Sequence, residues 1–271
     1  MHPIRSADGT LIACRHEGKG PPLLFVHGTG TDGSIWQPIL PAFASTFTVH
    51  CMDRRGHGRS EDAAAYRIEN EAADIAACID AVADGPIDVV GYSYGGLCAL
   101  SAARKGAAIR RLVLFEPPIP TYREAYYPAD LIGRMRDALA RNDRDGAMEE
   151  FAKGVFRTPP EELAEMKMRG MWQRMARSAP IVLRELESVD SFSLSPDDYA
   201  DWTIPALLVL GGESPPQYRA TIEALHTALP GSRIAVLEGQ QHSAMKTAPL
   251  LFAKTILNFL KSRTNAKRKR R

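Results

Sequence analysis

The chain has four cysteines in 271 residues, Cys14, Cys51, Cys78 and Cys98, and no two stand at C-x-x-C spacing. That argues against a disulfide framework and against a thiolate zinc or redox motif. Cys51 and Cys98 sit in apolar segments and read as core thiols, as expected in a reducing cytoplasm. No apolar run is long enough to span a bilayer. The first residues, Met1-His2-Pro3-Ile4-Arg5-Ser6, lack the apolar core of a signal peptide, so a cytoplasmic protein is expected. There is no dinucleotide fingerprint and no cluster of metal-ligand residues, so no metal or organic cofactor is expected. Hydrophobic content of 45% and charged content of 24% are ordinary for a globular protein.

Net basicity is also lacking in the body of the chain. The formal charge is +2, but Lys267-Arg268-Lys269-Arg270-Arg271 ends the sequence, and removing those five cations leaves −3. Nucleic acid is therefore not an expected partner, and residues 263–271 read as a solvated basic tail. The expected partner is a small-molecule substrate. No membrane or metal partner is expected, and a homodimer is left open.

What is present is alternation. Continuous apolar runs at residues 23–26, 47–52, 87–90, 112–115, 206–210 and 234–237 read as strands covered on both faces. Residues 11–16 read as an edge strand after the turn Ala7-Asp8-Gly9-Thr10. Helical patterns separate most of the runs. In residues 69–83, Ala72, Ile75, Ala76, Ile79 and Val82 fall at helical spacing. This predicts an α/β domain with a mostly parallel sheet and helices on both faces.

From about 117 to 202 the alternation stops, and only helical patterns remain. The division expected is a core over 1–117, a helical cap over 118–202, the rest of the core over 203–262, and the tail. Six of the nine methionines and Trp172 lie in the cap segment. Methionine adapts its shape to irregular space, so Met135, Met171, Trp172 and Met175 are expected at a substrate pocket.

One motif carries chemistry. Ser93 sits in Gly91-Tyr92-Ser93-Tyr94-Gly95-Gly96, after an apolar strand and before the small-residue helix of 97–103. A serine on such a tight strand-to-helix turn is thrust out of the packed layers. Its hydroxyl is a weak nucleophile at neutral pH, and it needs a base, a group to orient that base, and donors for the oxyanion. Of seven histidines, His242 alone follows Ser93 in a polar loop after the last apolar strand. His27 and His57 lie in glycine-flanked loops but precede Ser93. His-Gly-Thr-Gly at 27–30 follows the strand at 23–26, so the N–H groups of Thr29 and Tyr94 are the oxyanion donors expected, with Gly28 letting substrate approach.

Together, His27-Gly28-Thr29-Gly30, Asp53-Arg54-Arg55-Gly56-His57-Gly58-Arg59-Ser60, Gly91–Gly96 and Gly239-Gln240-Gln241-His242 resemble the α/β-hydrolase superfamily, in its order and over almost the full length. The resemblance implies a mostly parallel eight-stranded sheet, with a helical cap inserted after the sixth strand. It assigns the 53–60 loop a structural role. The family's usual acid is an Asp after the strand at 206–210, but that stretch reads Gly211-Gly212-Glu213-Ser214-Pro215-Pro216. Glu213 could serve. Glu116, closing Leu112-Val113-Leu114-Phe115, matches the acid position of haloalkane dehalogenases and zearalenone-type lactone hydrolases. A carboxylate at the end of four apolar residues is costly to bury without a partner, which His242 would supply, so Glu116 is preferred and Glu213 is the alternative.

The activity implied is hydrolysis of a small apolar carboxylic ester or lactone through an acyl-enzyme. Cofactor-free haloperoxidase, perhydrolase or carbon–carbon bond hydrolase chemistry on the same fold is the alternative, and a non-catalytic ligand receptor a further one.

Overall fold

A computed structural model describes residues 3–120, 126–168 and 170–262. The basic tail expected at 263–271 lies outside the described residues.

Two short strands, β1 (Ile4–Arg5) and β2 (Leu11–Ile12), pair antiparallel with each other across the turn at Gly9. Seven more strands build the main sheet: β3 (Cys14–Glu17), β4 (Pro22–Val26), β5 (Thr48–Met52), β6 (Ile87–Tyr92), β7 (Ile109–Phe115), β8 (Ala206–Gly211) and β9 (Arg233–Leu237). Their spatial order is β3-β5-β4-β6-β7-β8-β9; β3 runs antiparallel to β5 and every other pairing is parallel.

The sheet therefore has seven strands among the described residues, where eight were expected. The segment read as one edge strand over 11–16 is broken at Ala13. Its N–H donates to Ser60 Oγ (2.8 Å) and its carbonyl accepts from Asp53 N (2.8 Å), so β2 leaves the sheet and only β3 joins it. For the same reason the helical insertion follows the fifth strand of the main sheet in chain order.

Side chains along the central strands alternate between two cores. Leu24, Val26, Val89, Leu112 and Leu114 face the core formed with α2 (Ile68–Val82), α3 (Tyr94–Arg104) and α9 (Pro216–Ala228). Leu23, Phe25, Val90, Val113 and Phe115 face the other, closed by α1 (Leu40–Ala44), α10 (Ala244–Thr247) and α11 (Pro249–Lys261). Both faces are covered, which is why the strands read as unbroken apolar runs.

Between β7 and β8 lie α4 (Leu131–Ala140), α5 (Arg144–Gly154), α6 (Pro160–Met168), α7 (Met171–Arg177) and α8 (Ala179–Asp190). No helix of the described residues is long and apolar enough to cross a membrane.

The topology places the functional loops. From β4 the chain crosses to β5 on one side, and from β6 to β7 on the other. The loops leaving the C-terminal ends of adjacent β4 and β6 thus diverge and open a crevice, the place where open parallel sheets bind ligands.

The 53–60 loop braces that crevice. Asp53 Oδ1 accepts from Gly33 N (2.8 Å), Oδ2 from Arg59 N (3.0 Å), and Ser60 Oγ donates to the Asp53 carbonyl (2.5 Å). Gly58 has φ +57° and a Cβ there would stand 2.3 Å from Asp53 Oδ2, so both its conformation and its lack of a side chain are required.

Candidate active site

Ser93 ends the turn between β6 and α3 with φ 50° and ψ −129°, a region L-residues avoid. Such a conformation costs on the order of 1–3 kcal/mol and persists only where the surroundings over-determine it. Here the Ser93 N–H donates to the Phe115 carbonyl (2.9 Å) while its own carbonyl accepts from Gly96 N (2.7 Å). The hydroxyl is thereby held out of the sheet.

His242 Nε2 stands 3.1 Å from Ser93 Oγ, and its Nδ1 stands 2.6 Å from Glu116 Oε2. The loop after β9 carries the histidine, and the residue after β7 carries the glutamate. The imidazole is boxed by Tyr92, Phe115, Tyr218 and Phe156, with centroid separations of 4.9, 5.9, 4.6 and 6.3 Å. Glu116 is fully buried and has φ 46°. Its other oxygen, Oε1, accepts from Gly211 N (2.7 Å). A carboxylate acceptor on Nδ1 fixes the tautomer: Nδ1 carries the proton, and Nε2 presents a lone pair to the serine hydroxyl.

Glu213 is exposed, and its backbone N–H donates to the Gln240 carbonyl (2.9 Å). The structure brings Glu116 to His242 and leaves Glu213 in the outer turn. It also separates the histidines. His27 Nε2 accepts from Arg54 N (2.9 Å), so its Nδ1–H donates to the Gly28 carbonyl (2.8 Å). Burial, then the charges of Arg54 and His57, hold it neutral with a pKa well below the ordinary range.

Tyr94 opens α3, where its N–H has no intrahelical acceptor and forms part of the positive end of the helix. Thr29 lies across the crevice in the loop after β4, and both residues border the same cavity as Ser93. Gly28 sits directly against Ser93. A Cβ there would stand 2.9 Å from Ser93 Cβ and 3.1 Å from the Tyr92 ring. Gly28→Ala should lower kcat by about 10- to 100-fold, because the added Cβ displaces the Ser93 hydroxyl from its position against His242. Pre-steady-state acylation rates check this, and a rate within twofold of the parent overturns it.

The cavity at Ser93 is small, with a volume of about 30 Å³. Phe151, Val155, Phe156, Leu186, Val189 and Tyr126 line it. The residues expected there lie elsewhere. Met135 is buried in the apolar core, and Trp172 is buried with its Nε1–H donating to Asp145 Oδ1 (2.7 Å). Met175 borders a separate groove of about 380 Å³ with Gly30 and His57. The Met171 side chain lies outside the described residues. α4 buries Leu131, Met135 and Ala138 along one stripe, and helical spacing alone does not tell whether such a stripe meets the core or a pocket.

Two acidic residues beside the site carried no signal as functional groups in the sequence. Glu185, on α8, is fully buried and borders the cavity. It pairs with Arg54 Nη2 and lies 2.8 Å from His57 Nε2. That nitrogen is also 3.1 Å from Arg54 Nη2, but Arg54 only donates and Glu185 only accepts, so the ring proton points to Glu185. Burial pushes the Glu185 carboxyl up, but the charge of Arg54 and then His57 outweigh it and bring it down to about 2. Glu71, 3.7 Å from Arg54, is raised by burial, which Arg54 at that distance does not overcome.

A depressed carboxylate adds stability above its ordinary value, 4.5, that is lost as pH falls towards about 2. The thermal midpoint should therefore fall across that interval, and less steeply in Glu185→Gln. Parallel acid limbs in melts of the two proteins would contradict the assignment.

Residues 23–255 match the Alpha/beta hydrolase family. The chain belongs to that family. This α/β hydrolase is similar to a 2-(acetamidomethylene)succinate hydrolase of Mesorhizobium japonicum, at 26% identity over 91% of this chain and 90% of that one. It is 30% identical to a pimeloyl-[acyl-carrier protein] methyl ester esterase of Neisseria meningitidis, over 87% of this chain and 75% of the other. Among solved structures, an alpha/beta hydrolase from Sphaerobacter thermophilus is 33% identical with a TM-score of 0.85, covering 96% of this chain and all (100%) of that one. The α/β hydrolase described here is an enzyme of that family.

Proposed function

We propose that the protein is a serine hydrolase of small carboxylic esters or lactones, working through Ser93, His242 and Glu116. The observation that carries this is the arrangement around one imidazole, with a buried carboxylate at 2.6 Å on Nδ1 and the Ser93 hydroxyl at 3.1 Å on Nε2. His242 takes the hydroxyl proton as Ser93 Oγ attacks the carbonyl carbon. The N–H groups of Thr29 and Tyr94 receive the oxyanion. His242 then gives its proton to the leaving alcohol, and water cleaves the acyl-enzyme by the same steps. Glu116 holds the tautomer and balances the imidazolium.

The aromatic and aliphatic lining favours an apolar acyl body facing α5 and α8, which act as a cap. One relative is itself named a methyl ester esterase, in keeping with this class. The deciding experiment is reaction with a fluorophosphonate and peptide mapping of the adduct. An adduct on Ser93 supports the reading, and an adduct on any other residue overturns it.

A further inference from the structure

Four buried polar atoms with no hydrogen-bond partner among the described residues belong to one cluster behind the nucleophile: Arg54 Nε and Nη1, Glu71 Oε2 and Glu185 Oε2. Buried polar atoms are nearly always satisfied in native structures, so an orphan at a cavity wall calls for a partner, an ordered water or a ligand group that displaces it. Arg54 lies under the ring of Tyr94, its guanidinium carbon 4.8 Å from the centroid, and Glu71 is met by the Tyr66 hydroxyl at 2.8 Å. Glu185 is the member that borders the cavity, together with Ser93, Thr29 and Tyr94, and among the described lining residues it is the one with a charge.

The two oxygens of Glu185 have different tasks. Oε1 takes Arg54 and His57. Arg54 therefore balances the negative charge already, and Oε2 is left as an unpartnered acceptor on a residue that borders the cavity. The Thr29 side chain is near enough to help lower the carboxyl, but it makes no hydrogen bond of normal geometry to Oε2. A neutral donor suits this oxygen: a hydroxyl or an amide N–H satisfies it without adding charge. A second carboxylate would meet repulsion there, and an ammonium would add a charge that the pair does not need. Because Thr29 and Glu185 share this small cavity, the donor must sit close to the scissile carbonyl.

Building on the serine-hydrolase reading, we propose that Glu185 determines specificity by accepting a hydrogen bond from the substrate, so that the preferred esters or lactones carry a hydroxyl or amide N–H within a few bonds of the scissile carbonyl. A substrate lacking that donor leaves Oε2 unpaired in a closed site, and the penalty appears in kcat/KM.

The test compares five methyl esters on the intact protein: methyl lactate, its O-methyl ether, methyl N-acetylalaninate, methyl propanoate and monomethyl succinate. The lactate, the acetylalaninate or both should exceed the propanoate by about 10- to 100-fold, the range of a hydrogen bond to a charged group. Which of the two leads tells hydroxyl from amide. The ether keeps the oxygen and loses the donor, so it should fall with the propanoate. This comparison needs no variant. In Glu185→Gln the donor-to-ether ratio should shrink towards one.

Brisk turnover with a donor-to-ether ratio near one overturns the inference and leaves the serine-hydrolase reading standing. So does a ratio that Glu185→Gln leaves unchanged, since the donor is then read elsewhere. Preference for monomethyl succinate overturns it too, because Arg54 would then be the reader. Absence of both turnover and a Ser93 adduct overturns the parent reading itself.

Discussion

Ser93→Ala should lower ester turnover by at least about 10⁴-fold and abolish the fluorophosphonate adduct, with the fold intact. The size of the loss follows from what remains. Without Oγ, His242 has no proton to take, and a water must enter a cavity of about 30 Å³ already shaped around a side chain. Only the oxyanion donors and binding would still act, and they give a residual rate well below the parent's. Stability should change far less than activity. The serine holds φ 50°, and alanine keeps the Cβ, so the backbone strain stays; a hydroxyl is lost, with its hydrogen bond to His242. Melting curves and steady-state kinetics on the same preparation separate the two effects. Labelling that survives in the alanine variant would assign the nucleophile elsewhere.

The strand-turn-helix geometry around Ser93 was legible in the sequence, for a physical reason. Ser93 sits where a strand, a tight turn and a helix must meet within a few residues, and only small residues fit there: a Cβ at Gly95 would lie 2.2 Å from the His27 carbonyl oxygen. Such constraints are local, so they are written in adjacent letters. The same holds for the 23–26 and 87–90 strands, whose side chains must satisfy cores on both faces.

Glu185 is different. It lies in an ordinary amphipathic helix, and its role comes from Arg54 and His57, more than a hundred positions away in sequence. No periodicity announces a partner at that distance. The methionines of the insertion misled for a related reason. Their apolarity does not say where they pack: α4 buries Met135 against neighbouring helices, Met168 is exposed, and the cavity wall is supplied by Phe151, Val155 and Leu186. The eighth strand was lost to two hydrogen bonds at Ala13 made by residues 53 and 60, again a contact between distant segments.

The larger remaining effect concerns the acid. Glu116→Gln should reduce kcat by roughly 10²–10⁴-fold, while Glu213→Gln should stay within about twofold of the parent. The amide has nearly the shape of the carboxylate, so the substituted side chain can still accept from Gly211 N through its carbonyl oxygen. The NH₂ is then left facing His242 Nδ1 across the 2.6 Å contact that the carboxylate made. A donor cannot face an N–H, so the imidazole must move its proton to Nε2. Nε2–H then points at Ser93 Oγ, and the base is protonated at the atom that should receive the proton. The charge that balances the imidazolium in the transition state is lost as well.

Both effects act on kcat, and KM should change little, because Glu116 is not among the described residues that line the cavity at Ser93. Glu213 is exposed and acts on its loop through the backbone, which the glutamine keeps. If the loss fell on Glu213→Gln and spared Glu116→Gln, the outer turn would have to swing to His242 in the working enzyme. The buried contact at the end of β7 would then be structural only. Ring-nitrogen shifts of His242 by NMR read the tautomer directly: the proton should sit on Nδ1 in the parent and on Nε2 in Glu116→Gln.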